Sequence, residues 1–589
     1  MQNKKLTLSL VASCLLATNL LSNELYVTSA TKSEQSIKDV TSNVEVITKE
    51  DIEERHYSSI TEALNTLPGI SFTSNGGHGK ASSVRIRGFD SKRVLVLIDG
   101  VRYNDFTSTS GAPFENILIN NVERIEVIKG AQSGIWGADA SAGVINIITS
   151  KVDNGLKSNI NLEYGSFNTK KYALNTSYSN EDFYIKGFYN KLDTDGFSAY
   201  ATRGIDIDSF EDDGYENENY GFNVGFNIDE NNKIKFSHSI SKNENEFDNF
   251  NSDSLTNNSF GEYKFSNISY ENSNNLAKTK IYYNRSDFHR EFPPFLSVYD
   301  GKIDEIGIKS NLNYLNDTSF IVIGTDFKKF EQKDAVINNY ENKGVFLTNS
   351  NTFGKTVFTQ SLRYDNHDSF DNKTTGKIGV KHNFSDKLHV SSNYGTAFNT
   401  PTLGQMYGAF GANPNLKPET TKSFDISIGY SDFEFTYFNN KVKDLIDWNG
   451  SGYDNLDGVS KFKGYEISYK KDIIFNTLLS LGYTRLTAED NEGKDLVRRA
   501  KDDLKIALDY YGLKDFHFNV NGEYVGNRKD TDGTQTGKYT VWNSVINYKV
   551  NSKLSTYLRI DNVFDKYYQT VNNYATSPRA FYAGIKATF

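Results

Sequence analysis

One cysteine, eight prolines, eight histidines and no excess of positive charge set the first limits on this 589-residue chain. The lone thiol, Cys14, falls inside an N-terminal apolar run. The rest of the chain therefore folds without disulfides or thiolate metal ligands, as suits an exported protein held together by closed β pairing. A formal charge of −9 leaves no basic stripe for nucleic acid. Beyond residue 23 no apolar run approaches the roughly 18 residues that a membrane helix needs, and mean hydropathy is −0.56; a helical membrane protein is excluded. The histidines are scattered and none sits in a nucleophile–base motif, so nothing points to an enzyme.

What is abundant is aromatic: 37 Tyr and 40 Phe beside 44 Gly, a composition for many short strands. From about residue 151 hydrophobicity runs with period two. Tyr220, Phe222, Val224, Phe226 and Ile228 alternate with Gly221, Asn223, Gly225 and Asn227, and Phe516, Phe518, Val520 and Tyr524 with His517, Asn519, Asn521 and Glu523. Repeated over the rest of the chain, the pattern predicts a closed transmembrane β-barrel with one face in lipid and the other in water, which also accounts for the polar average. Phe581, Ala583, Ile585, Ala587 and the terminal Phe589 make a last outward face ending in an aromatic.

Ahead of the barrel, Lys4 and Lys5 precede the apolar run Leu6–Leu21, the layout of a signal peptide over residues 1–23; a lipoprotein-type cleavage at Cys14 stays open. Residues 24–30 (Glu24, Leu25, Tyr26, Val27, Thr28, Ser29, Ala30) then form a short extended stretch that, if exposed, suits strand addition to a partner sheet. Residues 31–150 read as a small α+β domain. Val44–Thr48 is strand-like, Ser59 to Glu62 is a capping box opening a helix through Leu64, and Leu67-Pro68-Gly69 stops it. Val84–Gly88 and Val94–Asp99 are further strands. Gly76 to Lys80 is no phosphate loop, because Ala81 stands where a hydroxyl is needed and no helix follows. Val122–Ser150, VERIEVIKGAQSGIWGADASAGVINIITS, places two buried strands around a Gly/Ser/Ala-rich hinge.

That last segment resembles the plug signature of TonB-dependent outer-membrane receptors, with Lys129 in place of the usual Arg and Ala131 in place of Pro. The resemblance implies a 22-stranded antiparallel barrel at residues 151–589 with the α+β plug in its lumen, in a bacterial outer membrane. It makes residues 24–30 a Ton box that docks TonB and its inner-membrane energising complex, and it implies a small-molecule ligand, contact with outer-membrane lipid, and assembly by the barrel-assembly machinery. Within the family the chain is most similar to cobalamin receptors, through NGGHGKASSVRIRG (75–88), VLVLIDGVRYN (94–104), YGTAFNTPTLGQMYG (394–408), VKDLIDW (442–448), LVRRAK (496–501) and DNVFDKYY (561–568). The expected activity is energy-coupled import of cobalamin or a related corrinoid. A ferric siderophore or haem is the alternative, although no histidine lies between Phe398 and Asn413, where haem receptors carry one. A passive porin or adhesin would need neither plug nor Ton box.

Two plug loops are expected to floor the ligand site, through Asn75, Gly76, Gly77, His78, Ser82 and Ser83 in one and Tyr103, Asn104 and Phe106 in the other. Arg87 and Lys129 are expected to tie the plug to carboxylates of the barrel lumen. Similarity to cobalamin receptors further implies structural Ca²⁺ on acidic extracellular loops, with Asp206, Asp208, Asp212, Asp213, Asp248 and Asp253 as ligand candidates; the competing reading is a solvated acidic loop. No catalytic cofactor is expected.

Overall fold

The computed structural model describes residues 25–202, 207–314, 318–334 and 338–589. The expected signal peptide, Glu24 and Asp206 lie outside these described residues.

Twenty-two antiparallel strands close into one barrel, from Gly155–Gly165 to Ala580–Thr588, and these two strands pair with each other from Asn159↔Thr588 to Gly165↔Tyr582. Closure leaves no strand edge in lipid, where an unpaired backbone group costs several kcal/mol. The strand Asn339–Phe353 shows how the pattern folds: Val345 and Leu347 face outward while Phe346 and Thr348 are buried toward the lumen. Phe581, Ile585 and Phe589 likewise face outward at the C-terminus. Connections at one end are short turns such as residues 180–182 and 431–432; those at the other are longer, above all residues 195–214, 400–418 and 562–579. Short turns mark the periplasmic end and long loops the extracellular end.

The lumen is filled by the N-terminal domain, whose last strand, Gly143–Thr149, ends just before the barrel begins. Its five-stranded sheet runs in the order Val44–Thr48, Val122–Lys129, Gly143–Thr149, Val94–Ile98, Val101–Arg102, with one parallel pair between Gly143–Thr149 and Val94–Ile98. The Gly/Ser/Ala hinge is a helical turn, Ser133–Trp136, rather than a bare reversal. It ends at Gly137, whose φ of 82° and approach to the Arg363 guanidinium leave no room for a side chain. Two short helices flank the sheet. Lys49–Arg55 is opened by a reciprocal capping box between Thr48 and Asp51, and Ile60–Leu64 is capped by the Ser59 hydroxyl on the Glu62 N–H. A hairpin, Ile70–Ser74 with Ser82–Ile86, carries the apex loop toward the extracellular end.

One flank of this plug is packed dry against the barrel. Tyr103 stacks on Phe265 at 4.8 Å, and Phe106 meets Phe330 edge-on at 5.5 Å, within a cluster that includes Phe288 and Ile303.

Candidate functional site

At the centre of the plug–barrel contact lies a buried charge lattice. Arg87, held at φ 52° where its strand ends, donates from Nε and Nη2 to Glu466 at 2.9 and 3.0 Å. The Lys129 ammonium lies 3.3 Å from the same carboxylate, and it also donates to the Pro68 carbonyl at 2.7 Å. Above them Arg93 forks onto Glu419 at 2.6 and 2.8 Å. Arg87 and Lys129 therefore meet barrel carboxylates, and Arg93 joins them without having been singled out from sequence. Arg93 and Glu419 form a neutral pair, and the two cations on Glu466 are balanced by Glu45, 3.5 Å from Lys129; loss of a sole partner would leave the survivor charged and buried.

The N-terminal segment is docked on the plug, with Tyr26 left half-exposed. Tyr26–Val27 pairs antiparallel with Gln35–Ser36, and the Val27 side chain is fully buried with Ala30, Val40 and Leu97. Glu126, itself fully buried on the strand Val122–Lys129, accepts from the Thr28 N–H at 3.0 Å, the Ser29 N–H at 2.9 Å and the Ser29 hydroxyl at 2.6 Å. Trp136 Nε1 donates to the Ser29 carbonyl at 2.8 Å, and Asn146 donates to the Ser29 hydroxyl at 3.0 Å. The segment is docked here rather than free: a carboxylate collects its donors, and Val27 and Ala30 find a core.

The two apex loops also differ from the expected open floor. Asn75, Gly76, Gly77 and His78 are half-buried, with Phe197 and Ala199 packed against the glycines; a side chain on Gly77 would touch the Phe197 ring at 3.1 Å. The glycines serve this close approach. Ser74 exchanges bonds with Thr570, and the buried Lys80 reaches the carbonyls of Asp213 and Gly214 and the Asn245 amide. Burial lowers the Lys80 ammonium to about 8. Burial likewise raises Glu115, which accepts from the Ser82 hydroxyl, to about 7. Ser83 shares a bond with Ser91.

In the second loop Tyr103, Asn104 and Phe106 are buried and occupied structurally. Asn104 bridges the Val96 N–H and the Val94 carbonyl at 2.8 Å each, while Tyr103 and Phe106 belong to the aromatic flank. Ser108 and Thr109 turn outward beside the buried Thr107, and the three floor a 270 Å³ extracellular pocket walled by Phe247, Phe292, Phe295, Tyr299, Phe410 and Trp448. Its one charged wall is Arg290, 2.8 Å from Asp105 and stacked over Tyr299. Aromatics scattered over four separate connections gave no local signal of a shared pocket.

The acidic residues sort by direction. Asp208 and Asp212 are exposed, and among the described residues neither joins a group of three carboxylates within 4.8 Å. Glu211, Asp248 and Asp253 bring carboxylate oxygens within 4.8 Å of one another, and Glu211 was not among the sequence candidates. Asp213, buried, turns inward to accept from the Ala199 N–H at 2.6 Å, and Asp248 accepts from the Tyr200 and Ser254 N–H groups. Burial and the neighbouring Asp248 push Asp213 up to about 8; burial and Asp253 push Glu211 up to about 7. Glu211 Oε2, Asp213 Oδ1 and Asp253 Oδ1 are buried without a hydrogen-bond partner. An oxygen-only set with orphaned acceptors fits a hard cation such as Ca²⁺.

Comparison with known proteins completes the picture. The family models described as "TonB-dependent Receptor Plug Domain" and "TonB dependent receptor-like, beta-barrel" match residues 36–144 and 152–563. The chain is 29% identical over 599 residues to a protein of Photobacterium profundum named Vitamin B12 transporter BtuB, covering 95% of each. It is 28% identical over 606 residues to the protein of that name from Vibrio vulnificus strain YJ016, covering 96% of each. Among solved structures it resembles the siderophore receptor PirA from Acinetobacter baumannii, with a TM-score of 0.80 at 17% identity over 93% of this chain and 98% of that one. It also resembles a mutant of the ferric enterobactin receptor PfeA from Pseudomonas aeruginosa in complex with enterobactin, with a TM-score of 0.79 at 17% identity over 94% and 100%.

Proposed function

The chain belongs to the TonB-dependent outer-membrane receptors, and on that premise we propose that it imports cobalamin or a related corrinoid, driven through its residues 24–30. The observation that carries the coupling half of this reading is the docked N-terminal segment. A two-residue strand and one carboxylate hold it at the plug, an attachment that a partner sheet offering a longer ladder can replace. The lumen is filled, so passage requires work, and the work enters where this segment is pulled.

The corrinoid half rests on the whole-length likeness to proteins named vitamin B12 transporters and on an aromatic-walled extracellular pocket that offers apolar contact to one face of a ligand. Ser108 and Thr109 offer hydroxyls and backbone groups below, and aromatic walls rise from four connections. Ca²⁺ held by Glu211, Asp248 and Asp253 would order this pocket, because Asp248 directly follows Phe247 in its wall. A ferric chelate with anionic aromatic arms is the second reading, favoured by Arg290 among the aromatics.

The test is uptake of labelled cyanocobalamin by cells lacking their own receptor. The proposal expects accumulation that a protonophore abolishes. Uptake unaffected by the protonophore would refute coupling, and surface binding of a ferric catecholate in place of cyanocobalamin would favour the second reading.

A further inference from the structure

The aromatic pocket at the extracellular mouth carries one fixed charge. Among the described residues lining it Arg290 alone is charged, and it stands beside Phe247, Phe292, Phe295 and Tyr299. Alternation along the strand Ala277–Phe292 sets its direction: Ser286 and Phe288 are buried toward the lumen, and Arg290 follows on the same face. Tyr299 is its cross-strand partner, which brings the ring against the guanidinium at 4.9 Å. On the same neighbouring strand Gly301 lets the plug loop come close, since a Cβ there would meet Thr107 Cγ2 at 2.5 Å and the Phe106 ring at 3.0 Å. Arg290 Nη2 then donates to the Thr107 hydroxyl at 3.1 Å. Ring and hydroxyl together fix the plane of the guanidinium.

Its ion-pair partner, Asp105, is engaged elsewhere. Asp105 Oδ1 accepts from the Thr107 N–H at 2.8 Å and from the Thr107 hydroxyl at 2.7 Å, and so shapes the plug loop. Oδ2 lies 2.8 Å from Arg290 Nε, yet both atoms are buried without a hydrogen bond: the two groups are close but misaligned. Exposure separates the partners as well. The Arg290 side chain is 17% exposed and that of Asp105 1%, so only the guanidinium keeps a side open to an entering molecule. A second cation, Lys92, lies 5.7 Å from the centroid of the Tyr453 ring in the same pocket. A fixed, half-satisfied guanidinium among apolar walls suits a phosphate-type anion, which it can grip through two parallel N–H donors with little screening by solvent.

We propose that Arg290 selects the ligand by its anion. Within the corrinoid reading, on which this inference rests, it receives the phosphodiester that joins the side chain of a complete corrinoid to its nucleotide. Corrinoids without the phosphate forgo the contact, so the receptor distinguishes complete from truncated forms. Asp105 stays on Thr107 throughout, and the anion adds to the open side of the guanidinium.

The test is equilibrium binding to the purified full chain in calcium, with cyanocobalamin and with dicyanocobinamide, which lacks the phosphate and the nucleotide beyond it. Arg290→Gln is compared with the parent, beside the double variant Arg290→Gln/Asp105→Asn, which leaves no carboxylate buried without its cation. In both variants cyanocobalamin should bind at least tenfold more weakly, while dicyanocobinamide stays within twofold of its parental affinity. Equal weakening of the two ligands would make Arg290 a structural member of the pocket, and unchanged cyanocobalamin binding would remove the contact; either result overturns the selection. A parent protein that binds a ferric catecholate but neither corrinoid would overturn the corrinoid reading itself, and the phosphodiester contact with it.

Discussion

Glu126→Ala removes the acceptor that collects three donors of the N-terminal segment, and the consequence can be worked from the contacts. Hydrogen bonds to a charged group contribute about 1.5–3 kcal/mol each, but the three share one carboxylate oxygen, and deleting the carboxylate also removes its desolvation. Burial of Val27, the Tyr26–Val27 pairing and the Trp136 bond to the Ser29 carbonyl remain. A net loss of about 2–3 kcal/mol of docking free energy follows, which is about 30–150-fold in the docked-to-free ratio. The assay is a spin label on Tyr26→Cys, a half-exposed position. The mobile spectral component should be minor in the parent and should grow by that factor in the Glu126→Ala background. Because a docked segment lowers apparent affinity in proportion to its free fraction, the TonB C-terminal domain should bind the variant more tightly by the same factor, up to full release. An unchanged line shape with unchanged TonB affinity would refute the latch.

Three further outcomes are expected. Val27→Pro removes the pairing N–H and should abolish uptake while ligand binding stays within twofold, measured on the same cells; parental transport would separate coupling from residues 24–30. Arg87→Ala removes the forked donor from Glu466, which keeps Lys129 as its partner, and should weaken plug retention by about 1.5–3 kcal/mol, read as a lower urea concentration for channel opening; an unchanged midpoint would make the lattice energetically idle. In chelator, the Asp213 carboxyl, pushed up to about 8 from an ordinary 3.8, favours its protonated form in the folded loop. Hydrogen-exchange protection of residues 195–202 should then fall as pH rises from about 4 through about 8, with Lys80 and Asp248 as the charges that act on Asp213. Calcium should cancel the loss, and Asp213→Asn should remove the pH dependence; identical profiles with and without calcium would leave a solvated loop.

The barrel was legible wherever one face meets lipid. The alternations read at Tyr220–Ile228 and Phe516–Tyr524 fall on the strands Tyr215–Asn227 and Phe516–Val525. In the plug, Ser59 caps the helix its spacing announces. The helix Lys49–Arg55 passed unnoticed although Thr48 and Asp51 stand at capping-box spacing. What was not legible is the pairing of charges across long sequence separations. Glu466 and Glu419 look like ordinary polar alternates of their strands, and only closure of the barrel brings them to Arg87 and Arg93. Glu126 reads as the solvated side of a strand, yet both faces of that strand are covered. Glu211 joins a metal-like cluster, and Asp208 and Asp212 do not, because loop direction rather than acid density sets the geometry.

The central claim is the ligand, and equilibrium binding to the purified receptor tests it most directly. Cyanocobalamin, haemin and a ferric catecholate would be titrated in parallel, each with calcium and with chelator. The account predicts saturable cyanocobalamin binding at least a hundredfold tighter than either iron compound, weakened in chelator and restored by calcium. Tight ferric catecholate binding with no saturable cyanocobalamin binding in either condition would contradict it.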